Sequence, residues 1–474
     1  MKGEAMEEDL AEVLSNFSAE ELAEQGEAAY ERGDYEEARW FFEHALASYE
    51  DHNDHAGTAE TLLQLGDLSR DEKDDKQAEQ LYQRAFRIFE ALGDAIGVAQ
   101  SLANLGHMAH LRGGEKETRQ LYRRAVEALV ALGDRPEVAL VFDRLGKIAQ
   151  NQGDTWAARQ FYERALEIEQ ALGNQAAVAQ CLHRLGNIAY MEGRYVEARP
   201  IYERALETEK ALGDRRGMAK SFGQLGNIAY RQRDYNQART LLRRALEIFA
   251  ALGERHGLAI VCQQLGIIAY EEDNLGEAYE LYQKALEHFE AIDNQEGIAR
   301  SLHRLGVITQ VQEEYDLARR FYQRSLEIEE SLGDHAGVAS TLHQLGTLAQ
   351  QRGEYDAARQ LYERARGIYE SISNPKGALQ SLNQLGNLAH EQGDYATARA
   401  FYERGLAAAE ELDDSEEIAS SLINMGILAA TEGESASARQ YFLKSLETVK
   451  GLRSPWEEMA RRFLAELEKG EITG

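Results

Sequence analysis

Arg144, Arg184 and Arg304 each stand two residues before a glycine, and Asn187, Asn227 and Asn387 each stand one residue after one. Guanidinium groups take carboxylates in paired, charge-assisted hydrogen bonds, and a primary amide can meet the donor and the acceptor of a peptide backbone together. Residues of these two kinds, recurring in register, point to holding a peptide rather than to making or breaking bonds. His107 and His110 are spaced for a metal ion on one helical turn, but no third ligand accompanies them, so no metal is expected. Cys181 and Cys262, the two cysteines, form no zinc spacing and read as small buried residues. No Gly-rich phosphate loop and no catalytic signature interrupts the chain. An enzyme needs unique positions for nucleophile, base and stabiliser. Here the polar residues repeat by column, so neither enzymatic activity nor a cofactor is expected.

The elements that carry these residues follow from a fixed period. Every fortieth residue from Gly26 to Gly426 is glycine, eleven in all with no insertion or deletion. Twelve places further on lies a column of alanines (Ala38, Ala78, Ala198, Ala438), broken by Thr118. Four further still the column is aromatic, from Phe42 and Tyr82 to Tyr402 and Phe442, with Leu242 the exception. Three columns in phase define eleven units, and a repeat of this kind overrides any domain count based on length.

Each unit holds two helical patterns. In FYERALEIEQAL, Tyr162, Ala165, Leu166, Ile168 and Leu172 fall on one stripe, and in CLHRLGNIAY Leu182, Leu185, Ile188 and Ala189 do the same. Turn signals such as EGRY and QGDY separate the two helices. ALGD or a close variant follows the second, with Gly suited to a left-handed residue and Asp to the next N-cap. Such short loops force antiparallel helix pairs to stack. Glycine inside a helix costs ~1 kcal/mol against alanine. We therefore expect each first helix to press its backbone on the alanine column of the second, with the aromatic one turn later filling the gap between repeats. Pro200 should kink its helix. Ser18 with Glu21, and Ser454 with Pro455 and Glu457, read as helix starts.

Charge narrows the partners. Lys and Arg number 52 against 82 Asp and Glu, a net charge of −30, which opposes binding to nucleic acid or an anionic membrane. The N-terminus lacks the apolar core of a signal peptide, and no apolar run reaches the ~18 residues of a membrane span. With few cysteines, this makes the cytoplasm the expected setting.

The Leu-Gly, Ala, aromatic and Ala-Leu positions, as in LGNIAYMEGRYVEARPIYERAL, resemble the tetratricopeptide (TPR) repeat over residues 18–453. The unit of 40 residues is similar to the long-helix variety of Pins/LGN-type adaptors, kinesin light chains and bacterial TPR signalling proteins. The family's proline between repeats is replaced by ALGD, and its large aromatic after the glycine by Ala189, Ala229 and their equivalents. The resemblance implies an all-α, right-handed α-solenoid (superhelix) of eleven TPR-like helix-turn-helix repeats plus a C-terminal capping helix. Residues 1–17 would be an acidic tail or short helix, 18–453 one continuous solenoid, and 454–474 the capping helix and tail.

It also implies that the first helices line a concave groove. Counted from each glycine, positions −6, −3, −2, +1 and +4 would face it. Over repeats 4 to 10 these 35 positions hold six Lys or Arg and one acid, Asp143, where the chain average would place about six acids. The peptide-binding candidates are Arg144, Lys147, His183, Arg184, Asn187, Tyr190, Lys220, Gln224, Asn227, Tyr230, Gln264, Tyr270, Arg300, His303, Arg304, His343, Gln344, Asn383, Gln384 and Asn387. In Pins/LGN-type adaptors an Asn after the glycine and a base near −6 line the groove; Asn187, Asn227 and Asn387 match the first, Lys220 and Arg300 the second. The expected function is an adaptor or scaffold holding an extended acidic peptide or protein segment. Alternatives are a sensory module that takes a signal peptide or small molecule, and a self-associating scaffold in which the acidic N-terminus enters a neighbour's groove to form a homo-oligomer.

Overall fold

A computed structural model describes residues 17–452 and 454–469. Nearly all of the segment read as an acidic tail, and residues 470–474, lie outside them. All regular structure among the described residues is α-helical. First helices such as His55–Asp71, Gln175–Met191 and Gln295–Val311 alternate with second helices such as Asp75–Leu92, Tyr195–Leu212 and Tyr315–Leu332. The chain forms two compact units, Met1–Asp234 and Tyr235–Gly474. Within each, a first helix packs on its own second helix, and that one packs on the first helix of the next repeat. No described helix is long and apolar enough to cross a membrane.

The turns follow the sequence. Gly213 takes φ +71° and closes Tyr195–Leu212, its N–H reaching back to the carbonyls of Glu209 and Lys210. Asp214 then accepts from Gly217 N–H at 2.9 Å and opens the next helix. Ser18 and Glu21 form the reciprocal capping box, Glu21 N–H to Ser18 Oγ at 3.2 Å and Ser18 N–H to Glu21 Oε2 at 2.8 Å. Pro200 is accommodated inside the helix Tyr195–Leu212, which runs on past it as one element.

The glycine column has a different partner from the one expected. A Cβ on Gly146 would lie 2.5 Å from the Tyr162 ring, one on Gly186 2.8 Å from Tyr202, and one on Gly306 2.6 Å from Tyr322. The aromatic column of the same repeat, and not the alanine column, occupies the space that a side chain would need. The ring lies over the bare glycine and also packs on the next first helix, Tyr282 with Leu305 and Ile308 and Tyr322 with Leu345 and Leu348, so it fills the gap between repeats as expected. Alanine is small enough to let the helices close, but only a large flat ring uses the depth that the missing Cβ opens. Tyr162, Tyr202 and Tyr322 are fully buried as a result. Burying an aromatic side chain of this kind contributes about 1.5–3 kcal/mol.

A second column works the same way at the junctions. Gly57 faces Tyr49 and Gly97 faces Phe89 of the preceding repeat; Gly257 faces Phe249 and Gly297 faces Phe289 in the second unit. At the end of the second unit the helix Pro455–Lys469 lies on the last pair, with Phe463 stacked on Phe442 at 5.5 Å and Ala460 fully buried. Ser454 caps it by accepting from Trp456 N–H, not from the Glu457 N–H of a capping box.

Candidate functional site

The candidates stand on first helices, whose other faces are fixed by the core. In Gln175–Met191 the residues Val178, Cys181, Leu182, Leu185 and Ile188 are buried, which turns Arg184, Asn187 and Tyr190 outward as half-buried side chains. Burial pushes the Cys181 thiol up to about 12 and that of Cys262 to about 11, so both are inert fillers.

In the first unit, Arg144, Lys147 and Lys220 are exposed and form no ion pair with any described residue. Arg184 pairs with Asp143 at 2.6 Å and lies over the Tyr162 ring at 5.5 Å. Asn187 Oδ1 accepts the Tyr202 hydroxyl at 2.6 Å, so half of that amide is already committed. Asn227 Nδ2 donates to Gln224 Oε1 at 3.3 Å. Tyr190 packs edge-on against Tyr195, and its hydroxyl accepts from Arg231 Nε at 3.3 Å. Tyr230 is half-buried.

In the second unit, Arg300 and Arg304 are exposed and again form no ion pair with any described residue. Gln264, Tyr270 and Gln344 are half-buried. Asn387 Oδ1 accepts the Tyr402 hydroxyl at 2.7 Å while its amide nitrogen donates to Gln384. The buried tyrosines thus reach past their glycines and fix the amides of the first-helix face.

The −3 column does not belong to an open face. His183 Nε2 lies 2.6 Å from Glu209 Oε1 and 3.0 Å from Ser221 Oγ, which donates to Glu209 Oε2 at 2.8 Å. His303 meets Thr341 Oγ1 at 2.9 Å, and burial pushes it down to about 4. The His343 ring packs on Tyr362 at 5.4 Å with burial lowering its pKa, and Asn383 is only 7% exposed. His183 and His303 wedge against the adjacent first helix at Ser221 and Thr341, while His343 and Asn383 are enclosed beside Tyr362 and Gly405 on the second helix of their own repeat. The reason is that −3 points into the pair and along the stack, and not away from it.

Sequence reasoning missed the partners of these wedges. Glu169, Glu209 and Glu329 are buried glutamates in a column that elsewhere holds Tyr49, Phe89, Phe249, Phe289 and Tyr369. Acids in an aromatic column were a visible signal. Elsewhere, His107 is buried and lowered to about 4, and His110 Nδ1 stands 3.9 Å from Asp154 Oδ2. Among the described residues no group of three His, Cys, Asp or Glu side chains is arranged to hold a metal ion.

Several arginines on the second helices are neutralised. Arg84 pairs with Glu50, Arg239 with Glu272 and Glu277, Arg324 with Glu290, Arg364 with Glu330 and Arg399 with Glu432. On the first helices Arg184 and Lys376 are likewise paired, whereas Arg144, Lys147, Lys220, Arg300 and Arg304 pair with no described residue.

A family model described as a tetratricopeptide repeat matches residues 18–91, 97–171, 176–251, 217–291, 257–328, 297–371 and 377–450. No curated protein matches the chain. Among solved structures, a signal transduction ATPase with numerous domains (STAND) protein with a tetratricopeptide repeat sensor, from Pyrococcus horikoshii, is similar over 82% of this chain and 54% of that one, at 16% identity and a TM-score of 0.54. BtubC from P. vanneervenii is similar over 45% of this chain and 91% of its own, at 22% identity and a TM-score of 0.42. The apo form of RapI is similar over 58% and 98%, at 16% identity and a TM-score of 0.48. These are likenesses of fold.

Proposed function

The chain belongs to the tetratricopeptide repeat family, whose members generally serve as interaction modules without catalysis of their own, and we propose that it is a scaffold whose first-helix faces hold an acidic peptide or protein segment. The observation that carries this reading is the set of unpaired cations. In a chain of net charge −30, with carboxylates available in excess, Arg144, Lys147, Lys220, Arg300 and Arg304 pair with none of the described residues. An incoming carboxylate would meet them without displacing an internal partner. The amides of Asn187, Asn387 and Gln384 are held in place by their tyrosines and neighbours, so a ligand backbone would find them already oriented.

Affinity capture from the native host lysate tests this. Wild type is compared with a variant carrying Lys147→Ala, Lys220→Ala, Arg300→Ala and Arg304→Ala, at low and at raised salt. Acidic partners present only with wild type, and lost as salt screens the cations, are the expected result. Identical eluates from both proteins would remove the reading.

A further inference from the structure

One stretch of first-helix face in the second unit differs in chemistry from its counterparts, and the difference points to the ligand. In the second unit, adjacent first helices Arg255–Glu271 and Gln295–Val311 touch. Residues 260, 264, 267 and 271 share one face of the former by helical spacing, as 300, 304, 307 and 311 do on the latter. Ile260 is 36% exposed and Val311 52% exposed, while Ile267, Tyr270 and Val307 are half-buried around Tyr282 and Tyr322. The cations Arg300 and Arg304 occupy the N-terminal part of this surface; the one acid, Glu271, stands at the opposite end. Two repeats earlier, in the first unit, the matching places are polar, with Asn187 for Ile267 and Asn227 for Val307; Leu140 of the fourth repeat, 51% exposed at the Ile260 position, is an aliphatic exception.

Resting on the reading that the first-helix faces are recognition faces, we infer that the second unit binds a peptide segment carrying carboxylates beside aliphatic or aromatic side chains. The carboxylates would meet Arg300 and Arg304, and the apolar side chains would cover Ile260, Ile267 and Val307. Charge complementarity selects this occupant: a purely apolar segment leaves both guanidinium groups against an uncharged surface, and a purely acidic one leaves the aliphatic surface in water.

Selection of a random dodecapeptide library displayed on phage tests the inference, using the full chain beside Arg300→Glu/Arg304→Glu, Ile260→Ser and Lys220→Glu variants. All substituted side chains are exposed, so melting curves should match wild type. A class of peptides lost on Arg300→Glu/Arg304→Glu should be enriched in Asp or Glu next to Leu, Ile, Val or Phe. Synthetic copies should bind Ile260→Ser about tenfold more weakly, the effect of exposing one aliphatic side chain. The inference is overturned if that class carries acids without apolar residues, or the reverse. It also falls if selected acidic peptides depend on Lys220 but never on the two arginines, a result that leaves the acidic-ligand reading standing. A selection without acidic peptides would remove both.

Discussion

The hydroxyl of Tyr202 passes over Gly186 and donates to Asn187 Oδ1 at 2.6 Å, so a second-helix side chain sets the orientation of a first-helix amide. The same relationship joins Tyr402 to Asn387 at 2.7 Å and, one helical turn further along, Tyr162 to Gln150 at 3.0 Å. Packing and the candidate binding face are therefore coupled through a single ring in these repeats.

Gly186→Ala should test that coupling. Its Cβ would stand 2.8 Å from the Tyr202 ring. Overpacking costs about 1–3 kcal/mol, against a gain of about 1 kcal/mol from the better helix former. A net loss of about 1 kcal/mol in urea unfolding is expected, and a stabilised variant would show that the ring yields freely. Tyr202→Phe should cost about 1 kcal/mol through the lost hydrogen bond alone.

The junction built on Glu209 should accept the chemistry of another junction. Glu209, Gly217, His183 and Ser221 correspond, two repeats on, to Phe289, Gly297, Gln263 and Ser301, where Gln263 Nε2 donates to Ser301 Oγ at 2.9 Å. Glu209→Ala alone strands His183 and Ser221 and should cost about 2–3 kcal/mol. Glu209→Phe with His183→Gln recreates the other junction and should recover most of that loss. Thermal melting of the single and double variants decides; a double variant no better than Glu209→Ala would mean that the columns are not interchangeable.

Glu329 carries a pH dependence of defined sign. It is buried, accepts Ser325 and Thr341 hydroxyls at 2.9 and 3.1 Å on Oε1, and leaves Oε2 without a partner. Burial raises its pKa, with those two hydrogen bonds opposing. A carboxyl whose folded pKa is raised loses stability for the fold as pH rises through the carboxylate range, and contributes no difference once both states are protonated. Glu329→Gln should therefore melt higher than wild type at pH 8, and the gap should close towards pH 4. A gap that persists unchanged in acid would assign the effect to packing.

Two exposed arginines should separate stability from binding. Arg324 pairs with Glu290 at 2.6 Å on a second helix, with side chains 51% and 40% exposed. Such a pair is worth less than about 1 kcal/mol, so Arg324→Ala should change neither melting nor partner capture appreciably. Arg304→Ala should leave melting alone and weaken an acidic partner by about tenfold, with the difference shrinking as salt rises. Equal effects of the two substitutions on binding would point to net charge rather than to the first-helix face.

The period, the helix pairs and their turns were all legible in the sequence. They depend on local chemistry: apolar spacing of 3.6, a left-handed glycine at Gly213, a capping carboxylate at Asp214. The eleven glycines also announced a close approach, because a helix interior keeps glycine only where something needs the space. What lay against them was not legible. Column spacing says that Gly186 and Tyr202 recur together, but not that a ring rather than the alanine row enters the gap.

The tertiary structure alone decided which polar residues are free. Helical spacing put His183 and Arg184 side by side near one face, yet Glu209 of its own second helix and Ser221 of the next repeat hold the first, while Arg184 stays at the surface and pairs with Asp143. It likewise decided that Arg324 is neutralised and Arg304 is not. A sequence fixes the angle at which each side chain leaves its helix. How much of that angle the next helix occupies is set by side-chain volumes on two chains of residues packed together, and that is a property of the stack.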